Sequence, residues 1–283
     1  MEVVSDLDAW RRAAAAARQR GRTVGLVPTM GALHAGHDSL VRAAQDRGDY
    51  VIVTIFVNPR QFNDPADLRA YPRTPEADRA RAAALGVDLL VEPALEQMWP
   101  AYPAPVTTTV HVAGLTEDLE GADRPGHFDG VASVVAKLFA LTGPARAYFG
   151  EKDFQQLAMV RQMVVDLGFA VEVTACPIVR EDDGLALSSR NVRLSAAGRQ
   201  RALSLSRAVA AAAAQPATAS ALRQRMRAVL EEAGVEVAYA EVVDPVTLRP
   251  SRDVESGRRR ALVAGRIDGV RLIDNADVEI KGE

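Results

Sequence analysis

The chain has 283 residues, of which 48% are hydrophobic and 25% charged, and its formal net charge is −3. That length suggests two domains, and the composition excludes disordered, collagen-like and disulfide-scaffold chains. The near balance of charge excludes a general electrostatic footprint for nucleic acid.

Asp6 and Asp8 precede an Ala/Arg run near the N-terminus. A secretory signal needs a basic start and an apolar stretch, so an exposed amphipathic helix is expected instead. Thr23–Thr29 reads as a buried strand and Gly36–Gly48 as a helix. Tyr50–Val57, dense in β-branched residues, is the strongest strand signal in the chain. Thr74–Pro75 opens a helix as N-cap and N1, ending near Gly86, and Val87–Val91 follows as a short strand. Val131–Leu141 reads as helix, Ala145–Phe149 as strand and Asp153–Gly168 as helix, with Phe154, Leu157, Val160, Val164 and Leu167 at helical spacing. Phe169–Ala175 closes the series as a strand, just before the single cysteine, Cys176. One cysteine makes no internal disulfide and no thiolate-rich zinc site, so an intracellular, cytoplasmic chain is expected.

Strand–helix alternation with short connections implies a Rossmann-like parallel α/β sheet, with ligands beyond the carboxyl ends of its strands. After about Asp183 the pattern changes to two helices, Ala196–Ala214 and Ala219–Ala233. Strand-like segments follow at Val235–Val243, Arg260–Ile267 and Gly269–Ile273, with a turn expected near Asp268–Gly269. The expected division is a nucleotide-binding domain over residues 1–183 and a smaller α+β lid domain over 184–283. No apolar run reaches the ~20 residues of a membrane span.

Four constellations carry chemistry. Pro28–His37 (PTMGALHAGH) lies where a buried strand meets a helix, a junction that offers free backbone N–H groups and a positive dipole end to a phosphate. His34 and His37, three apart, project from one side of a helical turn and can donate to phosphate oxygens. A structural histidine pair or half a zinc site are the alternatives, with Asp38 the one nearby carboxylate of suitable spacing. Gly150–Asp153 (GEKD) follows a strand and holds Lys152, one of three lysines beside Lys137 and Lys281. A flexible ammonium suits a transferring phosphate, whereas Asp153 and Gln156 could simply cap the next helix. Leu187–Asn191 (LSSRN) could close on phosphate oxygens as a mobile loop. Phe56–Asn63 (FVNPRQFN) places Asn58 and Gln61 at a sheet edge, where neutral polar groups suit a small hydroxy acid, although Asn58–Pro59 could be turn-forming only.

Together these segments resemble the pantoate–β-alanine ligase family, the pantothenate synthetases. So do YPRT at Tyr71–Thr74, GHFDGVASVVAKLF at Gly126–Phe139, PIVRE at Pro177–Glu181 and RLIDN at Arg271–Asn275, in order from Pro28 to Asn275. The resemblance implies condensation of (R)-pantoate with β-alanine through a pantoyl-adenylate, with ATP as co-substrate and Mg²⁺, in a cytoplasmic homodimer. It maps Met30, Gly31, Ala32, Leu33, His34, Ala35, Gly36 and His37 onto the nucleotide loop, with His37 as proton donor. It maps Gly150, Glu151, Lys152, Asp153, Val179, Leu187, Ser188, Ser189 and Arg190 onto further ATP contacts. Gln61 and Gln156 map onto the pantoate pocket, and Gln61 also onto β-alanine. His34, His37 and Lys152 are thus the expected catalytic groups, and the protein groups on Mg²⁺ are left unassigned. Ala35 and Asp38 stand where the family pattern suggests an acid and a leucine, and Asn63–Asp67 is a variant acidic loop. A simple adenylyltransferase would share the HxGH and SSR chemistry, and a non-catalytic ATP sensor is the reading from another class. An aminoacyl-tRNA synthetase is disfavoured by length and charge. His127 and Lys137 receive no role.

Overall fold

In the computed structural model, which describes residues 1–282, six of the strands build one parallel sheet. Its strands are β1 (Glu2–Val4), β2 (Val24–Thr29), β3 (Tyr50–Ile55), β4 (Leu89–Val91), β5 (Ala145–Gly150) and β6 (Val171–Cys176). The spatial order is β1-β4-β3-β2-β5-β6, so the chain steps outward from β2 and then reverses to the other side at β5. Such a reversal opens a crevice at the carboxyl ends of the two strands that flank it. β2 pairs with β5 only at Gly25↔Arg146 and Leu26↔Ala147, and parts from it before Pro28. Pro28 has no N–H to donate, and a proline in a central strand is tolerated where a ladder ends.

The helices of this sheet are α1 (Leu7–Gln19), α2 (Ala35–Asp46), α3 (Pro65–Ala70), α4 (Pro75–Ala84), α5 (Leu95–Met98), α6 (Glu120–Asp123), α7 (His127–Thr142) and α8 (Phe154–Leu167). α1 is not simply exposed: Trp10, Ala14 and Ala17, at helical spacing, are fully buried. Thr74 stands at the N-cap of α4 with Pro75 inside it, but makes no side-chain cap. Its hydroxyl donates instead to Asp78 Oδ1 at 3.1 Å.

Contacts divide the chain into two units, Met1–Glu151 with Met159–Pro177, and Lys152–Ala158 with Ile178–Glu283. The second unit contains α9 (Ala196–Ala213), α10 (Ala219–Glu232) and an antiparallel sheet β7 (Glu236–Val243), β8 (Gly257–Ile267) and β9 (Val270–Ile280). Leu205, Val209, Leu222, Met226 and Leu230 form its core with Val242, Val263 and Val278. The expected turn joins β8 to β9 with Asp268 and Gly269 both at positive φ, 52° and 73°, the backbone that matches strand twist in a two-residue hairpin. β9 runs beyond the expected end at Ile273, because Asp274 and Asn275 are buried and partnered, which hides the apolar alternation.

Candidate active site

The first unit gathers the nucleotide-loop residues and the FVNPRQF segment. Past Thr29 the chain turns sharply, with Gly31 at φ 82° and Ala32 at φ 50°. A Cβ on Gly31 would sit 3.0 Å from Asp78 Oδ2 and from Ile55 Cγ2, so both conformation and space require glycine there. The expectation of free backbone N–H groups at this junction is corrected at Gly31, Ala32 and Leu33, whose donors have partners. Gly31 N–H donates to Thr29 Oγ1 at 3.1 Å, and the N–H groups of Ala32 and Leu33 donate to the Asp78 carboxylate at 2.9 and 2.7 Å. Asp78, 3% exposed, therefore braces the loop from α4. An acid in a helix's first turn has a sufficient local explanation, so nothing in the sequence marked it.

His34 is the N-cap of α2, and the two histidines form a reciprocal cap. His34 Nδ1 accepts from Gly36 N–H at 3.1 Å, and His37 Nδ1 accepts from His34 N–H at 3.2 Å. In a neutral imidazole one nitrogen accepts and the other carries the proton. Both rings therefore hold their proton on Nε2, the donor end. The ring centroids lie 4.1 Å apart, as the three-residue spacing led one to expect. Asp38 is bound by Arg81 at 2.6 and 2.7 Å. Among the described residues no three His, Cys, Asp or Glu side chains gather as a metal-binding group.

Gln61 lies in a 3-10 turn, Pro59–Gln61, beyond β3. Its Oε1 accepts from Asn58 Nδ2 at 3.1 Å, and its Nε2 approaches Met30 Sδ at 3.1 Å, which joins the two motifs side by side. Asn58, 1% exposed, also donates to Gly130 O at 3.0 Å and accepts from Trp99 Nε1 at 2.9 Å. Lys137 donates to Met98 O at 2.5 Å and stands 5.2 Å from the Trp99 ring. Burial, with a smaller push from Arg11, holds the Lys137 ammonium below its ordinary pKa. His127 Nδ1 is 2.7 Å from Gln61 O. His127 and Lys137 are thus both linked to Gln61, one directly at its backbone and one through Trp99 and Asn58.

Gly150 and Glu151 end the first segment of the first unit, and Lys152, Asp153, Gln156, Val179 and Leu187–Arg190 belong to the second. The chain enters α8 through a single 3-10 turn, Glu151–Asp153, in which Lys152 Nζ lies 3.5 Å from Asp153 Oδ1. Lys152 O accepts from Asn275 Nδ2 at 2.9 Å, while Asn275 Oδ1 accepts from Arg260 Nε at 2.8 Å. The neighbouring Asp274 accepts from Arg180 at 2.6 and 2.9 Å, and Arg180 also donates to Gly184 O. Val179 and Leu187 are linked by a backbone bond at 3.0 Å, and Asn191 donates to Glu181 at 2.9 Å and to Ala186 O at 3.1 Å. The RLIDN segment therefore holds both the Lys152 backbone and the base of the Ser188–Arg190 loop. Ser188 Oγ accepts from Arg190 N–H at 3.2 Å within that loop.

Residues 2–277 match the family model described as pantoate-beta-alanine ligase. A pantothenate synthetase of Cereibacter sphaeroides (strain ATCC 17029 / ATH 2.4.9) is 55% identical over 262 residues, covering 91% of this chain and 92% of that protein. The crystal structure of pantothenate synthetase from Thermus thermophilus is similar at a TM-score of 0.89 and 47% identity, covering 98% of this chain and 99% of that one. The ligase of Francisella tularensis, complexed with beta-gamma ATP and beta-alanine, is similar at a TM-score of 0.81 and 32% identity, covering 98% of this chain and 97% of that one.

Proposed function

We propose a reaction course for this chain, which belongs to the pantoate–β-alanine ligase family and condenses pantoate with β-alanine at the expense of ATP. A pantoate carboxylate oxygen attacks the α-phosphorus of ATP, the bond from that phosphorus to the bridging oxygen breaks, and pyrophosphate leaves. The amine of β-alanine then attacks the acyl carbon of the pantoyl-adenylate, AMP leaves, and the amine gives up a proton. The first step brings two anions together, so its barrier is lowered chiefly by placing positive charge and N–H donors around the phosphates.

The observation that carries this assignment is the orientation of the two imidazoles. With each Nδ1 held by a backbone N–H, His34 and His37 present Nε2–H donors at the N-terminus of α2. Lys152 supplies the mobile charge, and Gly150, Glu151, Asp153, Val179 and Leu187–Arg190 are assigned to ATP with it. Gln61 and Gln156 are assigned to pantoate, and Gln61 also to β-alanine. Mg²⁺ enters with ATP as part of the substrate, held mainly by phosphate oxygens and water. The first unit carries the sheet and its histidines, the second the lysine and the SSR loop. A cytoplasmic homodimer is the assembly that the family resemblance supports; no helix among the described residues is long and apolar enough to cross a membrane.

Incubation with ATP, pantoate and β-alanine, omitting each in turn, tests this reading. Sustained AMP release that requires all three substrates, together with pantothenate formation, is the expected result. Sustained pyrophosphate release without β-alanine, with the AMP moiety retained in an adenylylated product, or ATP binding with no turnover, would instead indicate an adenylyltransferase or a sensor.

A further inference from the structure

Gln61 is fixed at both ends, and one of its restraints comes from a residue that has no assigned part in the reaction. His127, at the first position of α7, is 7% exposed and places Nδ1 2.7 Å from the Gln61 carbonyl oxygen. Its Nε2 lies 3.1 Å from an Arg124 guanidinium nitrogen. A guanidinium only donates, so Nε2 must accept and the ring proton sits on Nδ1, aimed at the carbonyl. Arg124 adds a second donor to the same oxygen at 3.3 Å and is itself 3.7 Å from Glu120. The tautomer is thereby opposite to that of His34 and His37, as suits a ring that orients backbone.

We propose that His127 is a positioning residue for the carboxylate-substrate pocket: by holding the Gln61 carbonyl, it sets the direction in which the Gln61 amide meets pantoate. The proposal rests on the assignment of Gln61 to pantoate. Fixing the backbone of a 3-10 turn at its last residue leaves the side chain few rotamers, and Asn58 and Met30 select among them. Loss of the His127 bond leaves the Gln61 carbonyl with only the longer Arg124 contact and so loosens the turn, while the nucleotide loop's own braces, Asp78 and Thr29, stay in place. The effect should therefore fall on one substrate and spare the other.

The test is a comparison of KM values for pantoate and for ATP in the full-length enzyme. His127→Leu is expected to raise pantoate KM about tenfold, the effect of one lost hydrogen bond, with ATP KM changed by less than about twofold. His127→Asn, whose amide nitrogen can occupy the Nδ1 place, is expected to restore most of the loss. His127→Gln, whose amide lies nearer the Nε2 place, is not, and this polar pair decides the matter should the leucine variant fail to fold. A uniform rise in both KM values, no rise in either, or equal behaviour of Asn and Gln would overturn the proposal. Gln61→Leu separates the two layers. If it leaves pantoate KM unchanged, the assignment of Gln61 fails and the proposal with it; if it raises pantoate KM while His127→Leu does not, only the proposal fails.

Discussion

At the first turn of α2, two imidazoles use Nδ1 to cap backbone, which leaves the ring proton on Nε2. That double use explains why histidine, an indifferent N-cap, stands where Ser, Asp or Asn would cap as well. The capping role needs only an acceptor; the donor on the far nitrogen is what the phosphate chemistry requires. Lys152 shows the same separation between anchoring and chemistry. Its carbonyl, not its ammonium, is bonded to Asn275, so truncating the side chain leaves the anchor intact. Lys152→Ala is therefore expected to lower pantoate-dependent pyrophosphate exchange by about 10²–10³, with the melting temperature unchanged. Near-wild-type exchange in that variant would remove Lys152 from the phosphate step.

Among the elements, α7 packs directly on the turn that carries Gln61, and a glycine lets it do so. A Cβ on Gly130 would lie 2.2 Å from Arg60 O and 2.7 Å from Gln61 N, so only glycine permits α7 to meet the Pro59–Gln61 turn this closely. Gly130→Ala is expected to push that turn away, destabilising the fold by about 1–3 kcal/mol and raising pantoate KM, as thermal melts and steady-state kinetics would show. Gly150, whose added Cβ would meet nothing within 4 Å, provides the stability control. Strands β2, β3 and β6 were legible because their apolar runs carry β-branched residues, whereas β5 has none and was legible from the strand–helix alternation around it. β1 was not, since three residues carry no periodicity. The braces were equally hidden. Asp78 lies 46 residues from Ala32, and Asn275 lies 123 from Lys152, so each reads locally as an ordinary surface or cap residue. Nothing linear links Lys152–Ala158 to the later unit; Asn275 on Lys152 and Arg260 over the Phe154 ring supply that link.

For the molecule as a whole, the ordered run of motifs from Pro28 to Asn275 made the family legible, while composition said little beyond a folded chain of modest charge. The scarcity of lysine directed attention to Lys152 and Lys137 without distinguishing their work. Lys152 is assigned to the phosphates, and Lys137 holds a carbonyl at Met98 beside the ring that hydrogen-bonds Asn58. The two units carry different parts of one assignment, a capped histidine pair in the first and a backbone-anchored lysine in the second. Formation of a pantoyl-adenylate asks for charge neutralisation and nothing covalent from the protein. Transfer of label from carboxylate-¹⁸O pantoate tests that intermediate most directly: turnover with ATP and β-alanine should deliver one labelled oxygen to the phosphate of AMP, and AMP free of label would contradict the account.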